Sequence, residues 1–374
     1  MATTDLVTWF PTVNSTEPSS VTEPVVTHKA QRTFVACLFC LIGGVGLTGN
    51  SLVFIAVAMS RRLQTPTNVF VVSLSLSDFL TCLGLPFQAV AILSERGWPL
   101  AGGLCAMVGG SAMMSLTCGV VTLALIATNR FTLITRSKRT YTTLFSKKRN
   151  LIYVMISWLY PLLAFVVPQL VGFGRLGYDP YFKLCVWDTS DAHAHIYEIL
   201  AAITIFIATT IITTSYVTIY IFIRLHVSVM KNHVDGNRGG QSVKINQVTM
   251  AANSLNNTNN NDASAMGTGT PGDRPRIKVT KREIDITKNL FYIVCFFFFC
   301  IIPYGFVLAL TNLGVFPWYA GVMFVANSAV NPFIYASKHP VFKEVFRCML
   351  TFRLSAIPEP LPWVQSLFRA VPEH

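Results

Sequence analysis

Residues 289–337 read NLFYIVCFFFFCIIPYGFVLALTNLGVFPWYAGVMFVANSAVNPFIYAS, a run of 49 residues without Asp, Glu, Lys or Arg. A membrane helix needs about 20 apolar residues to cross a hydrocarbon core of roughly 30 Å, so this run is long enough for two. Asn312, Gly314 and Pro317 near its middle favour a turn. The run therefore predicts two adjacent membrane helices.

Five other segments carry at most one charge each, and each has the length of a single span. Only 12% of all residues are charged, against about 25% in a soluble domain. Together the segments predict an all-α membrane protein, a seven-helix bundle, and argue against a soluble enzyme. The five segments are Thr33–Ser60, Leu63–Ser94, Gly97–Asn129, Asn150–Gly174 and Ile199–Ile223.

The loops divide the basic residues unequally between the two sides of the predicted bundle. Of the 29 Lys and Arg residues, 23 fall on one side and five on the other, and Arg130 lies at the inner end of the third helix. Because basic loops stay in the cytoplasm, the chain is predicted to be a multi-pass plasma-membrane protein with an extracellular N-terminus and a cytoplasmic C-terminus. The net charge of +12 then faces anionic membrane lipids, and no nucleic-acid partner is predicted.

The segments outside the bundle have distinct compositions. Asn14 begins an Asn-Ser-Thr glycosylation motif on the predicted extracellular side. Cys348 ends a short amphipathic segment and is a candidate for palmitoylation, with a free juxtamembrane thiol as the alternative. The predicted organisation is an extracellular tail (1–33), a seven-helix domain (34–338) with a disordered cytoplasmic loop (234–276), an amphipathic helix along the inner leaflet (339–350) and a cytoplasmic tail (351–374).

Asp78 is the one charge in the body of a predicted membrane helix. Such a charge costs about 2.5–3.5 kcal/mol on insertion scales, so it points to an inward-facing functional site rather than to a structural contact alone. Serine and asparagine oxygens beside a carboxylate make a shell that suits a small hard cation, so Asp78 is also the predicted metal ligand. Its candidate partners on other helices are Asn50, Ser115, Asn327, Ser328 and Asn331.

Several motifs carry a resemblance to a known family. Their order and spacing resemble those of rhodopsin-like (class A) G-protein-coupled receptors, over about residues 34–350. The motifs are Gly49-Asn50, Leu74…Asp78, Asn129-Arg130-Phe131, Trp158, Pro303 and Asn331-Pro332-Phe333-Ile334-Tyr335. The resemblance implies a cell-surface receptor that converts binding of a small extracellular ligand into activation of a heterotrimeric G protein, most often of the inhibitory class, with arrestin as a further partner.

The resemblance also implies roles for single residues. Cys105 and Cys185 would form a disulfide, and an allosteric sodium ion would bind beside Asp78, with no other cofactor. Arg130 would pair with Glu283 to hold the inner helix ends together. The switch set matched by the resemblance is Asn129, Arg130, Phe131, Tyr216, Glu283, Pro303, Pro332 and Tyr335.

Within the family, the chain is most similar to the melatonin receptor group. Leu176-Gly177-Tyr178-Asp179-Pro180…Cys185 and Asn129-Arg130-Phe131 carry this likeness. Residues on helices five, six and seven differ from those of melatonin receptors. The expected ligand is therefore either a melatonin-like indole or another neutral small molecule. The ligand-pocket positions implied by the resemblance are Ala112, Met113, Gln169, Trp187, Thr204, Ile301 and Gly305.

Other ligands and other classes of membrane protein fit less well. Ala112 stands where amine receptors hold an Asp, and residues 315–336 contain no Lys for retinal. A transporter or channel is the alternative class, but inverted repeats typical of transporters are not detectable. A membrane enzyme would need a cluster of ionisable residues at depth, where only Asp78 occurs.

Overall fold

The computed structural model describes residues 28–236, 281–309 and 316–369. Seven helices form the predicted bundle, and we number them as spans. The predicted glycosylation site Asn14 and residues 237–276 of the predicted cytoplasmic loop lie outside the described residues. Span 1 is Lys29–Met59, span 2 Asn68–Leu93, span 3 Gly102–Thr135, span 4 Lys147–Leu170, span 5 Ala194–Gly236, span 6 Lys281–Ala309 and span 7 Phe316–Lys338.

The apolar character of the helices agrees with a membrane bundle. Spans 1 to 5 are each long and apolar enough to cross a bilayer, and span 6 contains a shorter apolar stretch, Phe291–Val307. Pro317, which the sequence placed in a turn, lies in the first turn of span 7. A proline is tolerated there because the first helical N–H groups have no partner within the helix.

Span 1 begins earlier than predicted, at Lys29, and includes Arg32. The buried Arg32 guanidinium donates to the carbonyl oxygens of Ile92, Leu93 and Ser94 at 2.8, 2.6 and 2.9 Å. These carbonyls end span 2 and have no partner within their own helix, so a cation there is favourable. The contact explains why a charged residue belongs to the outer end of the first helix.

Proline residues lie inside four of the spans, with Pro86 in span 2. Span 4 changes to a wider π-helical turn over Leu162–Val166, between Pro161 and Pro168, each of which lacks a backbone donor. Span 6 contains Pro303 and span 7 contains Pro332. A Cβ atom at Gly49 would lie 2.9 Å from Pro332 Cγ, so the glycine lets spans 1 and 7 approach closely.

A short antiparallel hairpin covers the outer end of the bundle. Its strands are β1 (Leu176–Asp179) and β2 (Leu184–Trp187), and Tyr178 pairs with Cys185. The buried Asp179 carboxylate organises the loop by accepting from the Phe182 N–H at 2.7 Å and from the Thr189 N–H at 2.9 Å. We call residues 176–187 the outer hairpin.

The amphipathic helix is confirmed as Pro340–Leu350, but its apolar face does not lie along the leaflet as predicted. Val341, Phe342 and Val345 are buried against the protein, and the Phe342 ring stacks on Tyr335 with centroids 5.3 Å apart. The apolar face is occupied because spans 1 and 7 and the chain that follows all pack against this helix. Leu350 and Phe352, at the end of the helix and just beyond it, are largely exposed.

Residues 351–369, predicted as a cytoplasmic tail, fold against the inner end of span 1. We call residues 357–366 the C-terminal strap. The Arg61 N–H donates to Glu359 O at 2.9 Å, and the Leu361 N–H donates to Met59 O at 3.0 Å. Ile357 and Val364 of the strap are buried. The strap therefore closes the inner side of the bundle beside span 1.

Candidate functional site

A cavity of about 150 Å³ lies below the outer hairpin, among spans 1, 2, 3, 5, 6 and 7. Four of the predicted ligand-pocket residues line it, namely Ala112, Met113, Trp187 and Thr204. Trp187 lies at the end of β2 and Thr204 in the third turn of span 5, so the hairpin and span 5 both supply parts of the wall. The cavity is therefore the candidate ligand site.

The other three predicted pocket residues lie away from this wall. Gln169 is buried at the outer end of span 4, where its amide donates to Phe165 O of the same helix at 2.7 Å. Ile301 packs into the main hydrophobic cluster, and Gly305 lies on span 6. Matching positions to a family pattern does not fix how far each helix turns, which explains why these three do not line the cavity.

Sequence reasoning missed several residues that do line the cavity. Thr81 and Gln88 follow Asp78 by three and ten residues and so share one face of span 2 with it. Tyr304 and Phe324 stack in parallel, with ring centroids 4.9 Å apart, and both line the cavity. The helical spacing from Asp78 was the signal that could have found the two polar residues.

Two bonds anchor the outer hairpin above the cavity. The predicted disulfide between Cys105 and Cys185 is present and ties β2 to span 3. The buried Gln88 side chain pairs with the backbone of the same cysteine, accepting from the Cys185 N–H at 2.8 Å and donating to Cys185 O at 2.8 Å. Gln88 thus acts like a neighbouring strand and ties the hairpin to span 2.

The predicted polar set around Asp78 comes together in the middle of the bundle. Asn331 Nδ2 donates to Asp78 Oδ2 at 2.7 Å. A second, much smaller cavity of about 10 Å³ touches Asp78, Ser115, Asn327 and Ser328. Asn50 joins the set by donating to Ser328 O at 3.0 Å.

This second cavity has the size and the oxygen atoms for a small cation. Its volume is close to that of one water-sized sphere. The buried side-chain oxygens of Asn327 and Asn331 have no hydrogen-bond partner among the described residues. In the described part of the chain, no group of three or more His, Cys, Asp or Glu residues could hold a metal ion. Carboxylate, hydroxyl and amide oxygens suit a hard cation rather than a soft transition metal.

The predicted switch residues lie at the inner end of the bundle. Asn129 and Arg130 are buried at the end of span 3, and Tyr216 and Tyr335 are buried on spans 5 and 7. Arg136 lies over the Phe131 ring, 5.4 Å from its centroid. Glu283 is in the first turn of span 6, but its side chain lies outside what the structure describes, so its pairing with Arg130 stays a prediction.

Cys348, the predicted palmitoylation site, is buried beneath the C-terminal segment. Its Sγ atom lies 3.5 Å from Ala356 O, and only 9% of the residue is exposed. Acylation of this thiol therefore requires the covering segment to move. The modification stays a prediction.

Comparisons with known proteins agree with this arrangement. The family described as 7 transmembrane receptor (rhodopsin family) matches residues 49–335. The crystal structure of squid rhodopsin superposes with a TM-score of 0.68 at 20% identity, covering 96% of this chain and 98% of the rhodopsin.

Curated relatives are distant and belong to several receptor groups. A melanopsin of Branchiostoma belcheri is 26% identical over 87% of this chain and 42% of its own length. A melatonin receptor type 1A of Ovis aries is 34% identical over 40% of each chain. The chain thus spans less than half the length of either relative, and the melatonin group is one of several that are similar.

Proposed function

The chain belongs to the rhodopsin family of seven-transmembrane receptors, and we propose that it converts binding of a small uncharged ligand into activation of a heterotrimeric G protein. The family consists of receptors rather than enzymes. The observation that carries the proposal is the layered arrangement of the bundle. A covered cavity lies at the outer end, a polar centre around Asp78 in the middle, and buried Arg130 at the inner end.

The walls of the outer cavity support an uncharged ligand. The described residues that line it include no Asp, Glu, Lys, Arg or His, whereas they include the aromatic side chains of Phe39, Trp187, Tyr304 and Phe324. A cationic ligand would lose its hydration there without a carboxylate in the described wall to pair with. A melatonin-like indole is one candidate, supported by the likeness to melatonin receptors; another neutral aromatic molecule fits equally well.

Signal transfer to the inner face would use Arg130 and Glu283. Such a pair at the membrane–water boundary contributes about 1 kcal/mol, and Asn129 cannot add the second ionic restraint that an Asp would give. Pro303 leaves one carbonyl of span 6 without a backbone donor and favours a kink there. The inner half of span 6 could then move outward and expose Arg130 to the G protein, with Tyr216 and Tyr335 stabilising the opened form.

Nucleotide exchange on purified inhibitory G protein tests the function directly. The full-length receptor in lipid nanodiscs should raise the exchange rate, and Arg130→Ala should abolish this increase. Arg353→Ala is the matched control, since it removes an exposed arginine from the inner face. Flux across proteoliposomes with no exchange activity would favour a transporter or channel instead.

The ionic pair has its own test in the same assay. Glu283→Ala should raise basal exchange several-fold, because about 1 kcal/mol corresponds to a factor of roughly five. Asp285→Ala, which removes an acid two residues later, should leave it unchanged. Equal basal rates in wild type and Glu283→Ala at matched receptor concentration would exclude the pair.

Sodium binding beside Asp78 would regulate the receptor. The Asp78 carboxylate, the Ser115 and Ser328 hydroxyls and the Asn327 and Asn331 amide oxygens are the available ligands, and a bound cation would neutralise the buried charge. A cation that binds only the inactive state shifts the equilibrium toward it. Sodium chloride should therefore lower basal exchange more than choline chloride, and Asp78→Asn should remove this difference. A sodium effect of unchanged size in Asp78→Asn would place the ion elsewhere.

A further inference from the structure

The two threonines that line the outer cavity from spans 2 and 5 make the same kind of hydrogen bond within their own helices. Thr204 Oγ1 donates to Leu200 O at 2.7 Å, and Thr81 Oγ1 donates to Ser77 O at 3.0 Å. Each hydroxyl is therefore bonded to the carbonyl four residues earlier in its own helix. Since a hydroxyl has one hydrogen, neither retains a donor for a ligand.

Each of these hydroxyls also has a side-chain neighbour within hydrogen-bond distance. Tyr160 OH of span 4 lies 2.5 Å from Thr204 Oγ1, and Ser115 Oγ lies 2.9 Å from Thr81 Oγ1. Because the Thr204 hydrogen goes to Leu200, the Tyr160 hydroxyl is the donor in its pair. The phenol hydrogen needs this acceptor, since an unpaired donor at membrane depth is costly.

Thr204, which lines the cavity, therefore keeps one unused lone pair on its hydroxyl oxygen. A hydroxyl oxygen accepts two hydrogen bonds, and Tyr160 supplies only one. Thr204 is 8% exposed, so a polar group placed beside it would be almost fully removed from water. A ligand N–H or O–H would satisfy this lone pair, whereas a ligand carbonyl or ether oxygen would meet an acceptor and be repelled.

The aromatic residues in the rest of the cavity wall favour a ligand with a flat ring. Tyr304 and Phe324 stack within 12° of parallel on one side, and Trp187 lies at the end of the hairpin. The volume of about 150 Å³ is that of a cavity that takes a single aromatic ring in other proteins. An aromatic ligand packs well against such faces.

We propose that the ligand of the outer cavity is an uncharged aromatic molecule whose ring N–H or O–H group donates a hydrogen bond to Thr204 Oγ1. This inference rests on the proposed function in so far as the cavity is the ligand site. It makes Thr204 a specificity-determining residue that distinguishes ligands by the presence of a donor.

Indole and 1-methylindole are suitable probes, because they share one ring system and differ in the N–H donor. Dissociation constants are measured by ligand-observed NMR on the full-length receptor in nanodiscs. In wild type, N-methylation should weaken binding roughly three- to tenfold, the range expected for one neutral hydrogen bond. In Thr204→Val the two probes should bind within about twofold of each other.

Two control variants separate this effect from general damage. Thr210→Val removes a hydroxyl bonded in the same way, to Phe206 O at 2.8 Å, from the exposed face of the same span, and should keep the wild-type ratio. Thr204→Ser keeps the acceptor and should restore the preference for indole. An unchanged ratio in Thr204→Val, or binding of neither probe to wild type, would overturn the proposal. Basal nucleotide exchange in the same preparation reports separately on receptor function.

Discussion

The outer hairpin and the C-terminal strap cover opposite ends of the bundle by different means. The hairpin is joined covalently to span 3 through Cys105–Cys185 and by paired hydrogen bonds to Gln88 of span 2. The strap is held by backbone bonds at the inner end of span 1, by the side-chain bonds Ser60 Oγ–Pro358 O and Trp363 Nε1–Ala58 O, and by the buried side chains of Ile357 and Val364. The difference indicates a fixed cover over the candidate ligand cavity and a more easily released cover at the opposite end of the bundle.

The physical basis of this difference is the kind of contact that must break. Releasing the hairpin needs cleavage of a covalent bond and exposure of a buried peptide pair. Releasing the strap exchanges two backbone and two side-chain hydrogen bonds for bonds to water, each with a net value of about 1 kcal/mol, and exposes two aliphatic side chains. Local opening is therefore expected at the strap well before the bundle unfolds.

Removing the disulfide should have the largest effect. Cys105→Ser or Cys185→Ser opens a loop of 80 residues, for which chain entropy predicts a loss of about 4.5 kcal/mol. The measured loss should be somewhat smaller, because the spans remain inserted in the bilayer. We expect surface expression and the midpoint of thermal unfolding to fall in both variants.

Cys118→Ser is the control for the disulfide, because it replaces a buried cysteine of span 3 that is not in a disulfide. It should lose far less stability than the two disulfide variants. If Cys105→Ser were as stable as Cys118→Ser, the covalent anchor would not distinguish the hairpin from the strap.

The spans could be predicted from the sequence because exclusion of charge is a local property of membrane helices. Asp78 could be singled out for the same reason, because a charged side chain inside the membrane carries a high free-energy cost. Gln88 and Thr81 could not be singled out in this way. Uncharged polar residues are less costly to place in a membrane helix, and they do not interrupt the charge-free segments. Their roles depend on the Cys185 backbone and on the Ser115 hydroxyl, which no periodicity places beside them.

The strap could not be predicted because its partners are distant along the chain. Ser60 Oγ donates to Pro358 O across 298 residues. A segment with prolines at 358, 360 and 362 also has no helical or strand pattern in its first half. Its docking depends on the shape that the inner ends of span 1 and the helix Pro340–Leu350 create together.

Opening the strap should have an intermediate and local effect. Val364→Asp places a carboxylate at a fully buried position, so the strap should detach. Cys348 would then react with a water-soluble maleimide at least about tenfold faster, while the thermal midpoint of the bundle stays nearly unchanged.

Ser366→Asp adds the same charge at an exposed position of the strap and should leave the labelling rate of Cys348 as in wild type. Mass spectrometry of the peptide containing Cys348 separates it from the other free cysteines. Fast labelling of Cys348 in wild type would mean that the strap is already open in solution, and the contrast between the two covers would then be larger than the structure indicates.

Replacing Gln88 should destabilise the bundle less than removing the disulfide, and it tests the second anchor of the hairpin. Gln88→Leu keeps the disulfide but leaves the N–H and C=O of the fully buried Cys185 without their side-chain partner. An unsatisfied buried backbone group costs about 1–3 kcal/mol, and water entering beneath the hairpin would recover part of this. We expect a loss near 2 kcal/mol in unfolding free energy. Indole should also bind more weakly, because Trp187 follows Cys185 by two residues.

The matched control is Gln169→Leu, at a glutamine that is equally buried, with 7% exposure, near the same end of the bundle. Its amide bonds only to Phe165 O within span 4, so removal should cost less than 1 kcal/mol. In a Cys105→Ser background the Gln88→Leu loss should change, since both anchors hold the same strand and neighbouring contacts do not add. Equal losses for the two glutamine variants would show that Gln88 is an ordinary buried amide and that the disulfide alone fixes the hairpin.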